Sequence, residues 1–153
     1  MLLKDLISPE RVACNVDAQS KKRALEKLSE LIADTEDTVS SNDVFESLLA
    51  RERLGGTGVG YGVAIPHGRL KDNELTLGAF IKLENGVDYD ATDHQPVDLL
   101  FALLVPQEST EEHLQILAQL AKMFSDQNFR IKLREATTPE ETHQLLVNWK
   151  ASA

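Results

Sequence analysis

The feature that most constrains the fold of this chain is a nearly continuous apolar run from Val97 to Val105. Prolines stand at both ends of the run, Pro96 and Pro106, and Asp98 is the single charged residue within it. A run of this length between two prolines is typical of a β-strand that is covered on both of its faces. We therefore expect a sheet with a layer of structure on each side.

Strand and helix patterns surround this run. The predicted strands are 11–16, 63–67, 75–83, 87–89 and 97–105. The predicted helices are 20–33, 41–54, 109–124, 129–135 and 139–149. Asn85-Gly86 is a turn signal between two strands, and Ser109 with Glu112 matches a capping box at a helix start. The patterns predict an α/β fold, a single domain over 1–153, with a mixed β-sheet of about five strands and helices packed on both faces.

Composition narrows the classes of protein that fit the chain. Its 153 residues, 42% of them apolar, can form the core of one domain. The chain has no run of eighteen apolar residues, and Met1 to Ile7 do not resemble a secretory signal. Cys14 is the only cysteine, so no intramolecular disulfide can form, and we expect a small core residue in a cytoplasmic protein.

Charge and ligand patterns exclude further classes. The formal net charge of −9 disfavours nucleic acid and anionic membranes, because phosphate backbones favour basic surfaces. The same charge is compatible with docking on the basic face of another protein. The four histidines and one cysteine form neither a Cys-x-x-Cys pair nor a His-Glu-x-x-His motif. We therefore predict protein partners, no nucleic acid, no membrane insertion, no metal and no cofactor.

A glycine-rich segment leads to a single histidine on a constrained backbone. Five of the eight glycines lie between Gly55 and Gly62, and amide groups in such a loop can converge on an anion. The spacing matches neither the Walker nor the dinucleotide-binding motif. Pro66 fixes the backbone before His67, and Gly68 is expected to leave the side opposite the imidazole open. His67 is thus a candidate phosphate ligand, with a flexible turn and an ordinary strand-end histidine as alternatives.

Two other positions are candidates for the same site. His113 falls in the first turn of a predicted helix, at the head of its buried face. Such a helix N-terminus favours an anion, although a histidine here can also be a core residue. Arg51 ends the second helix just before the glycine segment and can clamp a phosphate. Arg53 competes equally for that role, and Glu52 is interpreted as part of a wet helix face.

Three segments together resemble a known family. They are Arg51-Glu52-x-Leu54 with Thr57-x-x-Gly60-x-Gly62-Val63-Ala64-Ile65-Pro66-His67-Gly68, then Gln95-Pro96-Val97-Asp98-Leu99-Leu100-Phe101-Ala102-Leu103-Leu104-Val105-Pro106, and Glu112-His113-Leu114. They are similar to the IIA component of the fructose/mannitol class of the bacterial phosphotransferase system. The resemblance covers roughly Cys14 to Val147. Gly68-Arg69 after the histidine is most similar to the nitrogen-regulatory branch.

The resemblance implies roles for particular residues. His67 corresponds to the phosphorylated histidine, His113 to the second active-site histidine, and Arg51 to the arginine beside them. The protein would then be an enzyme only in the limited sense of a component with a phosphohistidine intermediate.

The resemblance also points to a phosphate-binding loop, which we assign to Thr57, Gly58 and Gly60. Relatives commonly carry a hydroxyl residue at the place of Gly56, and its absence here leaves Thr57 as the hydroxyl of the loop.

The implied function is that of a phosphoryl carrier. It would accept phosphate from a small histidine-phosphorylated carrier protein of the HPr or NPr kind and regulate target proteins through its phosphorylation state. One alternative is a sugar-uptake IIA component that passes phosphate to a IIB transporter domain. Another is a non-catalytic protein-interaction module.

Overall fold

The computed structural model of the chain describes residues 2–109 and 111–150. Over these residues the strands are β1 (Val12–Val16), β2 (Gly58–Gly60), β3 (Val63–Ala64), β4 (His67–Leu70), β5 (Leu77–Val87) and β6 (Val97–Pro106). The helices are α1 (Lys21–Thr35), α2 (Ser41–Leu54), α3 (Glu111–Phe124), α4 (Gln127–Glu135) and α5 (Pro139–Asn148). The predicted capping box from Ser109 spans Thr110, which lies outside the described residues. The expected α/β class is confirmed.

The strands form one mixed sheet in the order β1-β5-β6-β3-β2, with β4 also paired to β6. Neighbours β1 and β5 run parallel, β5 and β6 antiparallel, and β3 and β4 both run parallel to β6. The predicted apolar run is therefore the central strand of the sheet, where both of its faces can be covered.

Helices cover both faces, and β6 supplies side chains to each layer. Leu100, Ala102 and Leu104 join the core under α1 and α2. Leu99, Phe101, Leu103 and Val105 join the core under α3, α4 and α5. Each leucine or phenylalanine buried in this way contributes about 1.5–3 kcal/mol relative to exposure. Two apolar layers explain why the run does not alternate with polar residues.

The strand predicted over 63–67 is divided in the structure. Val63–Ala64 and His67–Leu70 are separate strands, although both pair with β6. Pro66 lies between them and has no amide hydrogen to donate, so the ladder is interrupted there. Its carbonyl still accepts a hydrogen bond from the Leu103 amide at 2.9 Å. His67 consequently begins a strand and does not end one.

The turn predicted at Asn85-Gly86 is wrong. Both residues lie inside β5, where the register against β6 shifts between Lys82 and Val87. A Cβ on Gly86 would lie 2.8 Å from the Cβ of Pro96, so the glycine permits a close approach of the two strands. The pair forms an irregularity in a long strand, and residues 88–96 make the connection.

The expectation that Gly68 leaves an open side is also wrong. Helix α2 fills that side, and a Cβ at Gly68 would lie 3.0 Å from the backbone carbon and oxygen of Ser47. The Ser47 hydroxyl also donates to the carbonyl of Arg69 at 2.7 Å. The glycine thus lets α2 lie directly against β4, which brings the end of α2 beside His67.

We predict that Gly68→Ala destabilises the protein by about 1–3 kcal/mol, because the backbone of α2 must move to admit the methyl group. Urea unfolding followed by circular dichroism measures the change. Gly56→Ala is the matched control, since a Cβ there would meet nothing closer than 3.8 Å. Equal stability of Gly68→Ala and the parent would contradict the close contact between α2 and β4.

Candidate active site

The His67 imidazole is held by hydrogen bonds to both of its nitrogens. Nδ1 lies 2.9 Å from the carbonyl oxygen of Ile65. A carbonyl oxygen only accepts, so Nδ1 carries the hydrogen and donates it. Nε2 accepts a hydrogen bond from Nε of Arg51 at 3.2 Å. The ring is therefore neutral, and its Nε2 lone pair faces a cation.

Arg51 reaches this position from the last turn of α2. Its Nη1 donates to the carbonyl of Gly55 at 2.7 Å, which anchors the guanidinium at the helix end. Arg53 does not line the cavity around His67, whereas Arg51 does. Of the two arginines that the sequence left equal, the structure brings Arg51 to the histidine.

His113 meets His67 from the other helical layer. The two ring centroids are 5.6 Å apart with the rings nearly perpendicular, at 79°. His113 lies in the first turn of α3 and is 5% exposed. Within the described part of the chain, neither of its ring nitrogens has a hydrogen-bond partner. Buried polar groups are normally paired, so this ring has hydrogen-bonding capacity to offer a ligand.

The surroundings of both rings favour the neutral form. Burial is the main cause that lowers the pKa of His67. The Ile65 hydrogen bond raises this pKa by less, the Arg51 charge lowers it, and the Glu52 charge has the smallest, raising effect. Burial is also the main cause that lowers the pKa of His113, followed by electrostatic interactions with His67 and with Arg69. Both imidazoles are therefore unprotonated at neutral pH.

These groups share an open cavity of about 560 Å³. Its charged and polar lining is Ser47, Arg51, His67, Arg69 and His113, and its apolar lining is Ala50, Leu54, Leu114 and Leu117. Leu54 is 85% exposed and Leu114 is 66% exposed. We call the four apolar residues the apolar collar. The cavity thus combines two cations, two neutral imidazoles and an exposed apolar surface.

Arg69 is a cavity residue that the sequence analysis did not assign. It stands two residues after His67 in β4, so the two side chains lie on the same face of the strand. Its guanidinium donates to the carbonyls of Gln107, at 2.8 Å, and Ser109. The two-residue spacing after the candidate histidine was the signal that could have found it.

The structure does not bring the predicted phosphate loop to this cavity. Thr57 is buried, and its amide and hydroxyl both donate to Glu52. Gly58 and Gly60 belong to β2, which pairs with β3. None of these three residues lines the cavity around His67. Their phosphate-binding role stays a prediction.

Glu52 differs from its expected place on a wet helix face. It is 7% exposed and forms an ion pair with Lys21 at 2.8 Å. The Tyr89 hydroxyl donates to it at 2.9 Å. Helical periodicity alone does not reveal this burial, because the groups that cover Glu52 come from α1 and from the segment after β5.

No helix among residues 2–109 and 111–150 is both long enough and apolar enough to cross a membrane.

Comparison with known proteins defines the class. The family described as "Phosphoenolpyruvate-dependent sugar phosphotransferase system, EIIA 2" matches residues 5–149. The chain belongs to this family, which is the fructose/mannitol class of IIA components. Membership implies a role in phosphoryl transfer, in agreement with the paired histidines and the arginines of the cavity.

Within the family, the chain is similar to nitrogen regulatory proteins. It is 44% identical over 146 residues to that of Pseudomonas aeruginosa, covering 95% of each chain. It is 46% identical over 145 residues to that of Klebsiella oxytoca, covering 94% of this chain and 89% of the relative. The crystal structure of nitrogen regulatory protein IIA-Ntr from Neisseria meningitidis superposes with a TM-score of 0.86 at 41% identity, covering 94% and 97% of the two chains.

The lowered pKa values of His67 and His113 predict a pH-dependent stability. In the unfolded chain both rings have the ordinary histidine pKa of about 6.5. Between that pH and their lower folded-state pKa values the unfolded chain binds more protons, so stability falls as the pH falls through this window. Above it the two rings contribute no pH dependence. Urea unfolding across the pH range should therefore show a shallower slope below pH ~6.5 when both residues are replaced by Asn. An unchanged slope would contradict the lowered values.

Proposed function

We propose that this protein is a phosphoryl carrier of the bacterial cytoplasm that accepts phosphate on Nε2 of His67. The observation that carries the proposal is the hydrogen bond from Nδ1 of His67 to the Ile65 carbonyl. It keeps the proton on Nδ1 and leaves Nε2 as the nucleophile, beside a cation in an open cavity. A neutral imidazole in this state is a competent covalent nucleophile.

The transfer step exchanges one nitrogen–phosphorus bond for another. The Nε2 lone pair of His67 attacks the phosphorus of a phosphohistidine on the donor. The new Nε2–P bond forms as the donor N–P bond breaks, and that bonding pair returns to the donor nitrogen. Catalysis depends on position and charge, since the transition state of phosphoryl transfer is loose. The proton on Nδ1 stays where it is.

The cavity supplies groups for the three phosphoryl oxygens. In the resting site Nε of Arg51 donates to the Nε2 lone pair, so Arg51 releases Nε2 as the phosphorus approaches, and its N–H groups then bind the phosphoryl oxygens. Arg69 adds a second positive charge, and the unpartnered ring of His113 adds a hydrogen-bond donor. Such preorganised donors stabilise charge that develops in the transition state.

The apolar collar favours a protein as the phosphoryl donor. Leu54 and Leu114 are large apolar side chains that are mostly exposed beside the reactive histidine. Exposed apolar surface around a reactive centre is typical of a protein-binding site. A small histidine-phosphorylated carrier protein can cover the collar and present its phosphohistidine to His67.

The relatives named nitrogen regulatory protein favour a regulatory output. A phosphoryl group on His67 adds about −2 charges at the centre of the collar. A target protein that docks on the bare collar would then meet a charged, hydrated surface. We therefore propose that the phosphorylation state decides which target proteins bind.

We predict that His67→Ala abolishes uptake of phosphate from a phosphorylated carrier protein, because it removes the accepting nitrogen. His113→Ala should reach full labelling but roughly 10²-fold more slowly, since it loses one transition-state donor. Intact-mass spectrometry over time measures both. Stoichiometric, acid-labile labelling of His67→Ala would reject the assignment of the acceptor.

The same labelled protein tests the two alternatives. Onward transfer to a sugar-specific IIB domain would favour the sugar-uptake function. Failure of the parent protein to gain one phosphoryl mass would favour the interaction module. A pull-down with phosphorylated and bare protein then tests whether target binding depends on the phosphoryl group.

We predict that Leu114→Asp weakens donor binding and leaves the chemical step intact. The substitution places a charge in the apolar collar, so KM for the phosphorylated carrier should rise about tenfold while kcat changes little. Ile131→Asp is the matched control, because Ile131 is an exposed apolar residue of α4 outside the cavity. Equal KM values for the two variants would contradict a docking role of the collar.

A further inference from the structure

A buried carboxylate near the end of α2 has no part in the mechanism above. The side chain of Glu52 is 3% exposed. Its Oε1 accepts hydrogen bonds from the hydroxyls of Tyr89, at 2.9 Å, and Thr57. Its Oε2 accepts from the amide of Thr57, at 3.2 Å, and pairs with the ammonium of Lys21 at 2.8 Å. Donors from three directions fix both oxygens of the carboxylate.

Two hydrogen bonds, both through Ile65, connect this cluster to the acceptor imidazole. The carbonyl of Thr57 accepts from the amide of Ile65 at 3.0 Å. The carbonyl of Ile65 then accepts from Nδ1 of His67 at 2.9 Å. Glu52 holds Thr57 through both its amide and its hydroxyl, and Thr57 in turn holds the amide of Ile65, whose carbonyl orients the imidazole.

The same segment also anchors the arginine. Arg51 precedes Glu52 in α2, and its Nη1 donates to the carbonyl of Gly55 while its Nε donates to His67. Gly55 lies two residues before Thr57, which Glu52 fixes. The nucleophile and its cation are therefore both positioned against residues 55–57.

The Tyr89 hydroxyl keeps its proton in this cluster. Burial, with the nearby negative charge of Glu52, raises the pKa of the Tyr89 hydroxyl. Tyr89 is therefore a permanent donor to the carboxylate across the physiological pH range. The ammonium of Lys21, which also lies 4.5 Å from the centroid of the Tyr89 ring, balances the buried charge.

We propose that Glu52 is a positioning residue for phosphoryl transfer, acting through Thr57 to hold His67 in the tautomer that exposes Nε2. This inference rests on the proposed function and deepens it, because it names a residue outside the cavity that orients the His67 ring. A carboxylate accepts all of the donors around it, whereas a glutamine amide would turn one N–H₂ group toward donors and release part of the cluster.

The test begins with the tautomer, which can be read without any transfer reaction. In a long-range ¹H–¹⁵N spectrum, the parent protein should show His67 protonated at Nδ1 and bare at Nε2. Glu52→Gln should show a mixture of both tautomers. In transfer from phosphorylated carrier protein, its kcat should fall about tenfold to a hundredfold while KM stays near the parent value.

Two sets of variants distinguish an effect on the orientation of His67 from a general loss of folding stability. Asp98→Asn makes the same carboxylate-to-amide change in the ion pair with Arg134, away from the cavity, and should lower the melting temperature without changing tautomer or kcat. Thr57→Val removes the hydroxyl that donates to Glu52 and should give the same mixture of tautomers as Glu52→Gln. If Glu52→Gln does not fold, the His67 tautomer is measured in Thr57→Val and Tyr89→Phe, each of which removes one donor to Glu52. A mixture of tautomers supports the positioning role, and the parent's tautomer in both variants overturns it.

A folded Glu52→Gln variant with the parent's tautomer and kcat would overturn the inference. So would a folded Thr57→Val variant that keeps the parent's tautomer. Failure of the parent protein itself to accept phosphate would reject the proposed function instead, and the tautomer measurement would still test the positioning by Glu52.

Discussion

The hydrogen bond from the His67 ring to the Ile65 carbonyl is the interaction on which the site depends. It is a contact across Pro66, which separates β3 from β4 and has no amide hydrogen for the ladder. The ladder beside β6 resumes at His67, which pairs with Leu103. A local irregularity in the sheet therefore decides which imidazole nitrogen is free to react.

The layered architecture explains how two distant histidines meet. His67 lies on a strand that pairs with the central strand β6, and His113 begins the helix that follows β6 in the chain. Helix α2 arrives from the opposite layer because Gly68 admits its backbone at close range. Strand β4 and helices α2 and α3 thus converge at one edge of the sheet, and each carries its site residue near one of its ends.

The sequence predicts the class of fold well because its signals are long. The apolar run 97–105 and the helical stripes each extend over many residues, so tertiary packing reinforces them. The signals that failed were short. Asn85-Gly86 has the composition of a hairpin turn but lies within β5, since the sheet continues past it.

The candidate site was predictable in part. Residue patterns make His67, His113 and Arg51 candidates, the family resemblance implies their roles, and the structure brings all three together. Glu52 was misplaced because its buried partners come from residues far along the chain, which periodicity within one helix cannot show. Arg69 needed the knowledge that His67 starts a strand, since only then do residues two apart share a face.

The contact between the guanidinium and the bare ring nitrogen has a consequence for ion selectivity. Two neutral imidazoles with centroids 5.6 Å apart would ordinarily attract transition metals, for which unprotonated histidine is a favoured ligand. Here the positive charges of Arg51 and Arg69 stand in the same cavity. These positive charges repel divalent cations, and they attract the dianionic phosphoryl group. The two guanidinium groups therefore disfavour a divalent metal ion on Nε2 of His67.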